Sequence, residues 1–283
     1  MPCRALLVSF RLLCAGLVTG LSLGQAIAQA PERVVSINLC TDQLAMLLAA
    51  PGQLVSVSNL AQDPRSSVMV EEARAYPSNQ ALAEEVFLLK PDLVLAGTFT
   101  ARATVSMLER LGIPVVSFPP TSSLADVRQG MLDMGAVLHR ETAAAAMVAR
   151  FDADLARLGQ APAAPRPTAA TYAANGYTPG ANSLSADIIE AAGFEHLARA
   201  LGLTQGGFVP LEALILAAPD LVVLGDTYPG NSRAEEILSH PALTALPGGR
   251  QILEDRDWVC GLPVVVNAVA RMRLARDAIG GAP

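Results

Sequence analysis

Cys40, in SINLCTDQL (residues 36–44), and Cys260, in DRDWVCGLP (residues 255–263), carry the most distinctive chemistry in this chain. They stand 220 positions apart, and neither belongs to a CxxC or a paired Cys/His spacing of the kind that holds zinc. His139, His196 and His240 are scattered singly, so no metal site is expected. The chain has no GxSxG, no HExxH and no phosphate-binding loop, and an enzyme would need a nucleophile with its base or a metal cluster. Asp42 reads as an acid in the first turn of a helix, where dipole and capping favour it, and not as a catalytic group. What the sequence offers instead is recognition. Trp258 is the one tryptophan, and an indole presents flat apolar area with little entropy to lose. Tyr177 sits in ANGYTPG, too rich in glycine and proline for a helix or strand, so its ring is expected to project. Arg102 and Arg256 are able to grip anionic groups through paired hydrogen bonds, or else are solvated surface charges.

These groups must be positioned by 283 residues, 52% of them hydrophobic, enough for more than one core. The first 28 read as a cleavable secretory signal peptide: Arg4 and Arg11, an apolar run over residues 12–27, then small residues in AIAQA, with Gln29 as the mature start. Losing Arg4 and Arg11 from 20 basic residues leaves 18 against 26 acidic ones, a net of −8, which argues against nucleic acid as a partner. The same segment takes two of the four cysteines, Cys3 and Cys14, and leaves Cys40 and Cys260. No later stretch is long and apolar enough to span a bilayer, so an exported, soluble protein is expected.

Along the mature chain, short Val/Leu runs alternate with helical patterns, the signature of α/β architecture with buried parallel strands. Strands are expected at 33–37, 54–58, 92–97 and 114–118, and again at 168–173, 220–225 and 250–254. Helices are expected at 41–50, 82–89 and 101–111, then at 185–192, 211–217, 234–238 and 264–279. An echo organises the whole: LAEEVFLLKPDLVLAGTFT (82–100) matches PLEALILAAPDLVVLGDTY (210–228), with Glu84, Pro91, Asp92 and Gly97 each 128 positions before Glu212, Pro219, Asp220 and Gly225. The simplest reading is two lobes of one architecture. Between them, residues 141–158 have no glycine or proline, and Met147, Phe151, Leu155 and Leu158 share one face, which predicts a helix about 27 Å long. In open α/β sheets the carboxyl ends of strands face the ligand. The loops there supply Asn38, Cys40, Thr41, Phe99 and Arg102 from the first lobe, and Tyr177, Tyr228, Arg256 and Trp258 from the second.

The order and spacing of ERVVSINLCTDQLAMLLA, EEVFLLKPDLVLAG, the lone helix, GANSLSADIIEAAGFEHLA and the DW near the C-terminus resemble the class III periplasmic solute-binding proteins of ABC importers for vitamin B12, ferric siderophores and haem. The resemblance implies two Rossmann-like lobes (29–139 and 160–283) joined by a single long bridging α-helix (140–159), with the ligand cleft between them. It implies a monomeric periplasmic binding protein without a cofactor, which hands a metal chelate, a corrinoid or an iron chelate, to the importer's membrane subunits. The alternative class is an enzyme or chelatase-like protein on the same scaffold. The family's docking glutamates match Glu84 and Glu212, although Glu85 is adjacent, and two solvated glutamates at helix starts would look the same. The DW stretch is most similar to B12 binders and tips the ligand toward a corrinoid. Because exported proteins rarely leave thiols free, a Cys40–Cys260 disulfide stapling the lobes is one reading, and two separate reduced thiols are the other.

Overall fold

The computed structural model describes residues 29–159, 166–225, 227, 230 and 232–280, so the signal-peptide reading of 1–28 and the expected ligand residue Tyr228 lie outside it. In chain order the first half runs β1 (Val34–Ser36), α1 (Leu39–Leu48), β2 (Leu54–Ser58), α2 (Val70–Ala73), β3 (Ser78–Asn79), α3 (Ala83–Leu88), β4 (Leu93–Gly97), α4 (Arg102–Arg110), β5 (Val115–Phe118), α5 (Leu124–Val137) and α6 (Glu141–Leu158). The second half runs β6 (Thr168–Tyr172), β7 (Tyr177–Thr178), α7 (Leu184–Ala191), β8 (Glu195–His196), α8 (Leu197–Ala200), β9 (Gly207–Phe208), α9 (Leu211–Ala217), β10 (Leu221–Leu224), α10 (Pro241–Thr244), β11 (Gly249–Ile252) and α11 (Val265–Gly280).

Two parallel sheets result, ordered β3-β2-β1-β4-β5 and β11-β10-β6-β8, with β7 and β9 as a small antiparallel pair. Apart from β3 the orders coincide, β2-β1-β4-β5 against β8-β6-β10-β11. The direction of winding therefore switches between β1 and β4 in one sheet and between β6 and β10 in the other, and a crevice opens at the strand carboxyl ends there. Val34, Val35, Val94 and Leu95 in one sheet, and Val222 and Val223 in the other, are covered on both faces, which is why these strands read as unbroken apolar runs.

The 128-residue echo has a structural cause. Lys90 (φ 50°) and Ala218 (φ 43°) take the left-handed conformation immediately before Pro91 and Pro219, where the following ring disfavours continued helix. The aspartate after each proline then anchors the amino end of the sheet's central strand. Asp92 accepts from the backbone N–H groups of Glu32 (2.7 Å) and Arg33 (3.0 Å), and Asp220 from the N–H (2.7 Å) and hydroxyl (3.0 Å) of Thr168.

Four expectations needed correction. Tyr177, expected in a segment unable to be strand, lies in the short strand β7, which pairs with β9 across Tyr177 and Phe208. The first helix begins at Leu39, two residues before the expected Thr41, because Asn38 Oδ1 accepts from the N–H groups of Cys40 (3.1 Å) and Thr41 (3.4 Å) and is the cap. Helix α5 went unseen because Gly130 and Gly135 interrupt its pattern; Gly135 is needed where Ala144 of α6 crosses, since a Cβ there would lie 2.3 Å from the Ala144 methyl. The 234–238 helix is a 3-10 turn, Glu236–Ser239, followed by α10.

One apolar core runs through both halves. It joins Leu44 and Leu48 of α1, Met131 and Met134 of α5, Phe151 of α6, Ile188 and Ile189 of α7, and Val265 and Met272 of α11. Helix α6 packs along α5 and also touches α11, where Arg273 donates to the carbonyls of Leu158 and Gly159. Asp187 of α7 accepts from the N–H of Leu124 at the start of α5 (2.7 Å). Finally, a disulfide joins Cys40 to Cys260 with their Cα atoms 5.1 Å apart. Closing a loop of 220 residues in the unfolded chain is worth ~5 kcal/mol in the chain-entropy account, and measured values run about 2–5. Replacing both cysteines with serine is therefore expected to lower urea-unfolding stability by about 2–5 kcal/mol. Intact mass of the protein lacking residues 1–28 should show no thiol open to alkylation before reduction.

Candidate functional site

The strand-end loops converge on a cavity of about 520 Å³ between the sheets. Its second-sheet wall comes from the end of β6 and the loop after it (Thr171, Tyr172, Ala173, Tyr177, Pro179), from the start of α7 (Ser183, Leu184, Ser185) and from β10 and the residue after it (Val223, Gly225). Thr121, after β5, closes it from the first sheet, and Trp258 and Val259 from the loop before α11. Gly261 lets that loop reach Thr121, because a Cβ would fall 2.3 Å from the threonine hydroxyl. Trp258 is half-buried with its body against the common core. Tyr177 is 42% exposed and meets Phe208 edge-on with ring centroids 5.8 Å apart. Among the described residues that line the cavity none is charged; their polar side-chain groups are hydroxyls and the Trp258 indole N–H.

Tyr172 connects this wall to the outer surface. Its ring is buried at the cavity and its hydroxyl donates to the carbonyl of Val209 (3.1 Å), two residues before α9. Burial, and then the carboxylate of Glu212, push its hydroxyl pKa up, so it stays a neutral donor.

Of the residues singled out in sequence, Trp258 and Tyr177 line the cavity, while Cys40 and Cys260 form the disulfide and are not among its lining residues. Asn38 is occupied as the cap of α1, and Thr41 is buried with its hydroxyl on Ser36 Oγ (2.8 Å) and the Asn38 carbonyl (3.0 Å), so the structure takes Thr41 out of reach of a ligand. Phe99 is 87% exposed and Arg102 is exposed at the start of α4; neither is among the lining residues. Arg256 pairs with Glu254 and donates to the carbonyl of Pro64 (3.2 Å) across the two halves, which makes it a brace. Glu84 and Glu212 are both exposed in the first turns of α3 and α9, and Glu85 instead accepts from the N–H of Gln80 (2.7 Å). Sequence reasoning missed Thr121, Ser183 and Ser185. Ser183 had a legible signal, a serine just before an apolar helical run, and it does cap α7.

Two titratable groups are buried outside the cavity lining. Asp42 is fully enclosed, with its carboxylate accepting from Ser58 Oγ (2.5 Å) and Ser58 N–H (3.1 Å); burial outweighs these bonds and raises its pKa to about 6. His196 is likewise enclosed, its Nε2 3.1 Å from the hydroxyl of Thr171, and burial followed by Arg199 lowers its pKa to about 4.

The sequence profile of the periplasmic binding protein family matches residues 34–251, and this chain belongs to that family. Among curated relatives it is 31% identical over 200 residues to a "cobalamin-binding protein" of Halobacterium salinarum, a match covering 69% of this chain and 54% of the relative. The chain thus spans about half the length of that relative. A "vitamin B12-binding protein" of Yersinia pseudotuberculosis is 33% identical over 108 residues, 38% of each chain. Among solved structures, the periplasmic heme-binding protein RhuT from Roseiflexus sp. RS-1 superposes with a TM-score of 0.71 at 21% identity, covering 88% of this chain and 99% of that one, and shares the fold.

The Asp42 pKa has a checkable sign. The folded value lies above the unfolded 3.8, so between about pH 4 and about pH 6 the folded chain keeps a proton that the unfolded chain has lost, and this group's contribution to stability falls as pH rises. His196 works the other way, its lowered pKa removing stability as pH falls from 6.5 toward about 4. Comparing wild type with Asp42→Asn cancels the histidine. The wild type should lose stability relative to the variant from pH 4 to 6.5, by up to ~3 kcal/mol in denaturant titrations.

Proposed function

We propose that this protein captures a corrinoid of the cobalamin type in the periplasm and delivers it to an ABC importer, without catalysing a reaction. One observation carries the reading: the cavity between the sheets pairs the aromatic faces of Trp258 and Tyr177 with hydroxyls and, among its described lining residues, no charge. A corrin is broad, and its edge is hung with neutral carboxamides, which hydroxyls and backbone groups satisfy without ion pairing. Haem propionates and catecholates or hydroxamates around iron favour cationic partners, and Arg256, the arginine nearest this loop in sequence, is already paired with Glu254. The named ligand of the Halobacterium and Yersinia relatives points the same way.

In this reading residues 1–28 direct export and are removed. The lobes 29–139 and 160–283 enclose the ligand on either side of the helix at 140–159, and the mature protein works as a monomer. Glu84 and Glu212, one per lobe, meet cationic side chains of the importer's membrane subunits.

Isothermal titration of the mature protein with cyanocobalamin, haemin and a ferric hydroxamate tests the ligand. Cyanocobalamin should bind, with affinity changing less than about twofold between 50 and 500 mM salt, since no ion pair is made. Trp258→Ala should weaken it roughly tenfold or more. Tight binding of haemin or the ferric hydroxamate without cyanocobalamin would overturn the corrinoid assignment. Charge reversal at Glu84 and Glu212 should leave that titration unchanged and abolish stimulated uptake.

A further inference from the structure

The echo extends past the glutamates. Leu88 and Leu216 are also 128 positions apart, each one helical turn after its glutamate, and they are 77% and 86% exposed. Between them and the glutamates, on the opposite face, Val86 and Leu214 are buried at 0% and 1%. Each short helix therefore turns the same pair outward, a carboxylate and a leucine at i and i+4, whose Cβ atoms stand about 6 Å apart. Exposed leucines are ordinary singly. Two at matching places in two lobes, each beside a matching exposed carboxylate, are a repeated pattern.

The surroundings favour a role for the pattern outside the fold. Helices α3 and α9 lead into the amino ends of β4 and β10, parallel strands of the two sheets, so both begin toward the carboxyl edge of their sheet, the edge on which the cleft opens. Glu85 is held by its own lobe through Gln80, whereas no hydrogen bond or ion pair joins the carboxylate of Glu84 or Glu212 to another described residue. A surface with an unpaired anion beside an apolar side chain complements a cation beside an apolar socket, and its repetition on two lobes complements a partner that repeats its own surface.

We propose that Glu84–Leu88 and Glu212–Leu216 are two equivalent carboxylate–leucine anchors that seat on a two-fold symmetric dimer of membrane subunits, each subunit offering a guanidinium with an apolar socket one helical turn away. This rests on the importer reading above and adds the leucines to it. The carboxylates steer the encounter and give it salt dependence; the leucines, buried on contact, slow dissociation. Neither leucine touches the ligand cavity, so docking and ligand capture are separable.

The test uses the mature protein and the importer whose cyanocobalamin uptake it stimulates, reconstituted in nanodiscs, with binding followed by biolayer interferometry across a salt series. Leu88→Ala/Leu216→Ala should bind the importer roughly tenfold or more weakly, mainly through faster dissociation, with an unchanged salt slope. Its Tm and its cyanocobalamin affinity should match wild type. Glu84→Gln/Glu212→Gln should weaken binding and flatten the salt slope. If the leucine variant binds as wild type while the glutamine variant does not, the apolar anchors are wrong and the docking reading survives. If both bind as wild type, the docking reading falls with them. A fall in Tm or cyanocobalamin affinity in the leucine variant would overturn the proposal by showing that the leucines serve the fold.

Discussion

A single covalent bond between the first strand-to-helix turn and the loop before the last helix constrains everything else in this molecule. Cys40 and Cys260 lie at opposite ends of the chain, and joining them holds the amino end of α1 against the loop that carries Trp258. Noncovalent contacts repeat the message: Asp187 reaches the start of α5, Gly261 presses on Thr121, and the apolar core passes without a break from α1 through α5 and α6 to α7 and α11. With the two sheets tied at several points, wide opening of the cleft would require breaking the packed core. The cavity walls are consequently preorganised, and a preorganised surface loses less entropy on binding than one that must order.

The same economy explains where the charges went. The chain is rich in arginine, yet the arginines at the joints are spent on backbone carbonyls and neighbouring acids. Arg33 donates to the carbonyls of Leu89 (2.8 Å) and Lys90 (3.1 Å) at the end of α3, Arg273 and Arg276 hold the carbonyls of Ala191 and Ala192 at the end of α7, and Arg256 braces Pro64. Cations at helix carboxyl ends satisfy orphan acceptors and the dipole together. The cavity is left to aromatic rings and hydroxyls, a composition that recognises shape and neutral polar edges more than charge. Tyr172 links the cavity to α9, its ring at the cavity and its hydroxyl holding the backbone that leads into that helix.

Much of this was legible in the sequence because it depends on local chemistry. Unbroken Val/Leu runs must be buried parallel strands; a proline must end the helix before it, and an aspartate after it can tie two strands together. Residues 54–58, 141–158 and 211–217 adopt the expected element end to end. The 128-residue offset disclosed the doubled architecture and, with it, the exposed positions of Glu84 and Glu212. Trp258 and Tyr177 stood out as a lone indole and a tyrosine among glycine and proline, and both line the cavity. What failed was the assignment of jobs to side chains at crowded turns. Asn38 and Thr41 sit where a ligand could approach, yet their oxygens are consumed by the backbone of the helix they begin, and no pattern in one sequence distinguishes a cap from a contact. Helix α5 was hidden by Gly135, which is costly within an isolated helix and is required only because α6 crosses there.

By itself, then, the sequence determined the alternation of strands and helices, the doubling of the architecture and the identity of its exposed acids, since each follows from interactions within a few residues or from repetition along the chain. The tertiary structure alone decided that Cys40 meets Cys260, that Thr121 and Ser185 line one cavity with Trp258, and that Arg256 and Arg273 brace segments distant in the chain. Those outcomes depend on which surfaces meet when two sheets share one core, a question of three-dimensional approach that residue type and spacing do not encode.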